Sequence, residues 1–314
     1  MSSEHLASAQ NVLKGNLAGA WDILSGAQGQ YPAEVSVRST AVKIYSFLDI
    51  LGTGNDVCQL YNANSSPTSR DFTATELTDG TYTSWYVSGT TKVTALYDQN
   101  IIGGPSVGVV PITASSSIAP DYDSSDNLAS SVAVNPFVKS SIASSSVYNS
   151  TLGTVFSGNA LGQGATLVMT VKDFTTAPSS SETPLLNIRS NAPTGDLSDA
   201  HKALVAVVGD GDVGASVRDS SFTQFSASSD DPIDSTLRMY TGIINKTDSS
   251  TTTVRAFKGD SEIANDTTTT ISDTINLTTI KAGGSIFKFQ TAIIFNKALT
   301  ESDVNNLKNE LESL

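Results

Sequence analysis

The chain is poor in the residues that most often do chemistry. Its 314 residues hold one cysteine, Cys58, and two histidines, His5 and His201. A single cysteine excludes an intramolecular disulfide and any cysteine-based zinc site. Its setting, Val57-Cys58-Gln59-Leu60-Tyr61, reads as a strand, which makes the thiol a small buried apolar group. His5 falls on the polar side of a helical stretch and His201 follows Asp199-Ala200 in a loop, so neither is placed in a Ser-His-Asp set. HExxH, CxxC and the P-loop pattern are missing. No apolar run approaches the ~18 residues of a membrane span, and the N-terminus lacks the basic-then-apolar form of a signal peptide. The chain is therefore expected to be made in a cytoplasm and to reach any exterior by assembly or lysis.

Charge is sparse as well. Charged residues make up 16% of the chain, with 18 basic against 31 acidic, a formal net charge of −13 and a pI near 4.4. The Lys and Arg residues are scattered, and an acidic surface without a basic patch repels phosphate, so no nucleic-acid partner is expected. Ser and Thr supply about a quarter of the residues and must cover much of the surface. With frequent β-branched Thr and Val, the composition is that of an all-β protein with helices at its margins.

The most organised stretch is the C-terminal one, Ser285 to Leu314. Phe287, Phe289, Ile293 and Phe295 alternate with Ile286, Lys288, Gln290, Ala292 and Ile294, the period-two pattern of a strand with one apolar face. Asn296–Leu299 breaks the pattern and Thr300 opens a helix over 300–313, with Glu301 and Asp303 in the first turn, where the helix dipole favours negative charge. Val304, Leu307 and Leu311 give that helix its apolar stripe. The run Phe295-Asn296-Lys297-Ala298-Leu299-Thr300, followed by Asp303, resembles the "YNRALT-x-x-E/D-hydrophobic" end of concanavalin A-like, laminin-G-like jelly rolls. Phe257-Lys-Gly-Asp-Ser-Glu-Ile263 resembles the "LYVNG-x-x-V" hairpin of the same domains, with Gly259-Asp260 at the turn. Val93, Thr94, Tyr97, Asp98 and Gln99 resemble a "V-T-x-W-Y-D-Q" stretch of lectin-like modules in phage and viral surface proteins and in some arabinofuranosidases; Leu96 replaces Trp, and the glycine-rich continuation is missing. The resemblance implies an antiparallel concanavalin A-like β-sandwich, or jelly roll, of the viral or phage surface-protein type, with short helices at both termini.

Read in order, Ser3–Leu24 forms an amphipathic helix whose stripe is Leu6, Leu13, Leu17, Trp21 and Leu24, weakened by Gly15 and Gly19. It either lies on its own sandwich or docks on a neighbouring subunit, and residues 1–34 make a helix-and-linker unit before a sandwich over 35–314. Val35–Leu51 reads as a long strand with a phase change near Ser39-Thr40. Further strands are expected at Val57–Tyr61, Arg70–Thr75, Tyr82–Ser88 and Lys92–Tyr97, with turns at Asp79-Gly80 and Ser88-Gly89. Residues 114–157 are Ser-rich and read as an exposed insertion holding one strand, Ser131–Val138. Gly164–Phe174 is a core strand, Leu185–Arg189 a further one and Lys202–Gly209 a central one; Leu237–Asn245 and Thr252–Lys258 form a hairpin.

Candidate sites are few. A glycosidase needs two carboxylates ~5–10 Å apart, and the Glu-x-Asp-x-(x)-Glu strand motif of jelly-roll glucanases is missing, as are galectin-type sugar motifs. The chain is therefore expected not to be an enzyme. Asp121, Asp123 and Asp126 in one loop, and Asp210 with Asp212 in another, are candidate calcium ligands, or else solvated turn carboxylates. Trp85 and Tyr86 either stack on a sugar ring or sit in the core. The sequon asparagines Asn64, Asn149, Asn245, Asn265 and Asn276 are no more than such a Ser/Thr content produces. Two function classes remain. One is a virion structural protein (minor capsid, decoration or fibre-associated), made in the host cytoplasm, contacting other virion proteins through Leu6, Leu13, Leu17 and Trp21, with a host glycan as a further partner. The other is a carbohydrate-binding module or degenerate glycoside hydrolase.

Overall fold

A computed structural model describes residues 36–99, 112–113, 116, 119–125, 128–130, 149–151, 164–172, 183–189, 202–208, 212–218, 224–232, 236–246, 251–268, 279–282 and 288–314. The chain divides into two compact units, Met1–Thr40 and Ala41–Leu314. In the first, Val37–Thr40 is a single 3-10 turn. The N-terminal stripe of Leu6, Leu13, Leu17 and Trp21 and the expected strand Ser131–Val138 lie outside the described residues.

The second unit is built from strands. The first group is β1 (Lys43–Ser46), β2 (Asp56–Tyr61), β3 (Ser69–Thr73), the short helices α1 (Ala74–Thr78) and α2 (Thr81–Trp85), then β4 (Lys92–Leu96). Four short strands follow: β5 (Ile112–Thr113), β6 (Asp121–Asp123), β7 (Leu128–Ser130) and β8 (Asn149–Thr151). The longer ones are β9 (Gly164–Lys172), β10 (Thr183–Arg189), β11 (Lys202–Val208), β12 (Asp212–Arg218) and β13 (Gln224–Pro232). Last come β14 (Arg238–Lys246), β15 (Thr252–Lys258), β16 (Ser261–Thr268), β17 (Thr279–Ala282), β18 (Lys288–Phe295) and the terminal helix α3 (Glu301–Glu312).

All the pairings among the described residues are antiparallel. One sheet runs β16-β15-β14-β9-β18, and β18 gives its other edge to β1 and, further along, to β7. The other runs β13-β12-β11-β10-β17-β8-β5-β4, and β4 continues to β2 and β3. The sheets stack with β12 against β14 and β15, and β13 against β16. Leu167, Met169 and Val171 from β9, Tyr240 and Ile244 from β14, and Val213, Ala215 and Val217 from β12 are buried in one core cluster. Both β11 edges are paired, so the strand expected at Lys202–Gly209 is interior, as its run of apolar residues requires.

β18 is interior too, and its pattern differs from simple alternation. The pairing with β9 shifts between Phe289 and Thr291, a bulge that reverses the phase of the strand. Phe289 therefore joins Ala292 and Ile294 in the core between the sheets, while Ile293 and Phe295 are buried on the opposite face. That outer face is covered by the terminal segment. Thr166 Oγ1 on β9 donates to Lys297 O (2.8 Å) and accepts from Leu299 N (3.0 Å). Thr300 and Asp303 form a reciprocal capping box, and Val304 and Leu307 are buried beneath α3. Lys308 reaches Asp260 in the β15–β16 turn, where Gly259 has φ 64°.

Two expected strands are corrected. Val35–Leu51 is not one strand: only Lys43–Ser46 is extended. Beyond it the chain turns, with Phe47 and Ile50 buried and Asp49 accepting the amides of Thr53 and Gly54. Tyr82–Ser88 is not extended either, because Thr81–Trp85 is helical. Tyr82 and Trp85 are three residues apart, so a helical turn buries both on one side, whereas a strand would have split them between faces.

Candidate functional site

Of the candidate residues, Trp85 and Tyr86 lie at the end of α2, and Asp121 and Asp123 lie on β6, which bridges β4. Thr73 caps α1 through a box with Glu76, whose Oε2 accepts from Thr73 N (3.1 Å). Arg70 Nη2 donates to Glu76 Oε1 (2.8 Å), and the guanidinium lies 4.9 Å over the Phe72 ring. Asp79 and Gly80 (φ 96°) turn the chain into α2; Asp79 Oδ1 accepts from Thr81 N (2.9 Å). This Thr81 contact, hydroxyl first and then amide, holds the exposed Asp79 carboxyl below its ordinary range.

Trp85 is a core residue, 6% exposed, edge-on to Phe72 at 5.3 Å and 6.2 Å from Tyr82. Its Nε1 donates to Pro67 O (2.8 Å), so the indole ties the 62–68 loop to α2. Tyr86 is 37% exposed, stacks on Tyr82 at 5.8 Å, and donates its hydroxyl to Gly89 O. Asn62, fully buried, donates to Ser88 O and Thr91 Oγ1 and accepts from Asn64 N. Between this loop and the α1–α2 turn lies an open polar cleft of about 510 Å³, lined by Ser66, Pro67, Arg70, Asp79, Gly80, Thr81, Ser84 and Trp85.

The aromatic and acidic candidates meet through Tyr122. Its ring is T-shaped to Tyr82 at 5.1 Å, and it stands on β6 between Asp121 and Asp123. Alternation puts the two carboxylates on one face of β6, but each turns to its own lysine. Asp121 pairs with Lys92 across the β4–β6 bridge, and Asp123 Oδ2 accepts from Lys288 Nζ on β18 (2.9 Å). The Ser125 hydroxyl and then Lys288 hold the Asp123 pKa at about 2. Asp126 and Asp210 lie outside the described residues, and Asp212 opens β12. Among the described residues no three carboxylate, histidine or cysteine side chains are grouped as metal ligands.

Sequence reasoning missed two polar groups. Asp98 and Gln99, 5% and 3% exposed, hold backbone in place. Asp98 takes Lys43 Nζ (2.7 Å) and Ile44 N (3.1 Å). Gln99 Nε2 donates to Ser46 O (3.1 Å) and Leu48 O (2.6 Å), while its Oε1 accepts from Ile50 N (2.8 Å). Asp98 and Gln99 of the motif thus clamp β1 and the turn after it. The second group surrounds Asp71, which accepts from Tyr97 OH (2.6 Å) and Gln59 Nε2 (3.0 Å). Partial burial, then the charges of Asp71 and Glu76, push the Asp56 carboxyl up; burial, then Asp71, pushes the Tyr97 phenol up. Asp56 and Asp71 lie fifteen residues apart on paired strands, and that pairing was the signal that could have joined them.

No family model matches the sequence, and no curated protein matches it. Solved structures do. A GH54 α-L-arabinofuranosidase soaked with a cyclic sulfate inhibitor aligns with 86% of this chain and 62% of its own at TM-score 0.50 and 12% identity. The fold is a lectin-like jelly roll. An arabinofuranosidase complexed with arabinofuranosyl-α-1,2-xylobiose gives the same values. The receptor-binding domain of botulinum neurotoxin D aligns over 88% of this chain and 54% of its own, at TM-score 0.47 and 11% identity. The jelly roll thus spans less than two thirds of each of these chains, and the likeness is one of fold.

Proposed function

We propose that this chain is a binding protein and not an enzyme: a lectin-like jelly roll serving as a structural component of a virion. It would sit at the particle surface as a minor capsid, decoration or fibre-associated protein and make protein and glycan contacts there. The observation that carries the non-catalytic part is the employment of the polar motif residues. Asp98 and Gln99 are spent on backbone, and Asp121 and Asp123 each face a lysine. A catalytic carboxylate needs a reacting atom within hydrogen-bond reach and a pKa matched to its task. Asp123, held at about 2, is a poor proton donor at neutral pH. The low charge density and Ser/Thr-rich composition suit a crowded assembly.

The test is quantitative mass spectrometry of purified particles. The chain is expected at fixed copy number, and deleting Ser3–Leu24 is expected to abolish its incorporation. Its absence from particles would refute the virion role, and intact incorporation without Ser3–Leu24 would refute docking through that segment. A second reading, a degenerate glycoside hydrolase, draws on the Asp56, Asp71 and Tyr97 group and on the arabinofuranosidase fold. Chromogenic arabinofuranosides and a wider glycoside panel separate the two: turnover lost in both Asp56→Asn and Asp71→Asn would replace the binding role with an enzymatic one.

A further inference from the structure

Given the binding role proposed above, we infer that the cleft between the 62–68 loop with the start of β3 and the α1–α2 turn takes a neutral, hydroxyl-rich ligand, a segment of an uncharged glycan. Its volume of about 510 Å³ falls in the usual range of small-molecule sites. The lining decides the ligand class. Arg70 and Asp79 bring opposite charges, and Arg70 is already paired with Glu76, so the cleft holds no net attraction for phosphate or sulfate. Apolar surface comes from Pro67 and the nearly buried Trp85, too little to desolvate a lipid or an aromatic ligand. A vicinal diol suits what remains: its hydroxyls donate to the Asp79 carboxylate and accept from the Arg70 guanidinium. Ser66 adds a hydroxyl that can act either way, while the Thr81 and Ser84 hydroxyls, whose protons go to Asp79 and to Gly80 O, can still accept.

The walls are fixed before any ligand arrives. Trp85 Nε1 holds Pro67 O, Thr81 N holds the Asp79 carboxylate, and Ser84 Oγ donates to Gly80 O (2.9 Å). Phe72, Tyr82 and Trp85 pack together as the core beneath α2. Such preorganisation lowers the entropy lost on binding, which a shallow sugar site needs.

Trp21 and Trp85 are the chain's two tryptophans, so Trp21→Phe leaves Trp85 as the sole indole reporter. The full chain carrying that change is screened on an array of neutral, sialylated and sulfated oligosaccharides, and neutral hits are titrated by fluorescence. Asp79→Asn, which keeps an acceptor oxygen but removes its charge, is expected to weaken binding by ~10-fold, since hydrogen bonds to an ionised acceptor are roughly twice as strong as neutral ones. Ser84→Tyr, placed at an exposed position and filling the cleft, is expected to abolish it. Neutral hits unchanged by both substitutions would overturn this site while leaving the binding role standing. Hits confined to sialylated or sulfated glycans would overturn the charge argument, and no hit at all would overturn the glycan contact together with the site.

Discussion

Replacing Gln99 tests how much one buried amide contributes to holding the end of β1 and the turn after it. Three hydrogen bonds join that side chain to Ser46, Leu48 and Ile50, each about 50 residues away in sequence. At ~1 kcal/mol net for each bond, their loss comes to about 3 kcal/mol. Ile50 N also reaches Leu48 O at 3.1 Å, which softens two of the three losses, so Gln99→Met, which refills the volume, should cost about 2 kcal/mol. Gln99→Ala adds a cavity and should cost about 3–4 kcal/mol. Gln99→Glu is the sharper probe. A carboxylate there can still accept from Ile50 N, but its other oxygen would face two carbonyl oxygens, so the folded state favours the protonated acid. The folded pKa is thereby raised above the ~4.3 of an unfolded Glu. The acid's contribution is present below that value and is lost as pH rises through the folded pKa. Urea unfolding followed by circular dichroism at a series of pH values reads this directly: Gln99→Glu should approach wild type near pH 4 and fall away from it towards pH 7. A Gln99→Ala deficit under about 1 kcal/mol, or a Glu variant whose deficit ignores pH, would refute the clamp.

Gly164→Ala should destabilise by more than ~2 kcal/mol in the same assay, because its Cβ would meet Ile244 O at 2.3 Å and Ala298 Cβ at 2.8 Å, and strand backbone does not yield cheaply. Thr166→Val keeps the shape but leaves Leu299 N and Lys297 O without that hydroxyl, for a loss of about 2 kcal/mol and easier detachment of α3, read as faster amide exchange in 301–312. Asp123 has a folded pKa of about 2, below the ordinary 3.8, so its contribution is present above the unfolded value and disappears as pH falls towards 2. Asp123→Asn should therefore differ from wild type at pH 5 to 7 and converge with it in acid. The gap should be small because both partners are partly solvated, and a gap that widens in acid would be the wrong sign.

What the sequence revealed of this fold, and what it hid, divides by range of interaction. The hairpin at Gly259-Asp260, the core strand Gly164–Lys172 and the Thr300 cap were legible because neighbouring residues decide them. The helices at Ala74–Thr78 and Thr81–Trp85 were not, since five residues are too few for a period to show and the Thr, Tyr and Trp of the second are residues enriched in strands. Yet Thr73-x-x-Glu76 spells a capping box and could have been read. Ile293 and Phe295 were expected to share a face with Phe289; only the pairing with β9 reveals the bulge that parts them. The site follows the same division. Asp98 and Gln99 appear in sequence only as matches to a short motif, and their partners, some 50 residues upstream, show them to be scaffold. Trp85 becomes part of a cleft only once the 62–68 loop is laid beside α2. On a fold that hosts many functions, the conspicuous polar residues can be consumed in holding the sandwich together. The residues of the proposed glycan cleft, Ser66, Arg70, Asp79 and Ser84, are unremarkable in sequence until folding gathers them.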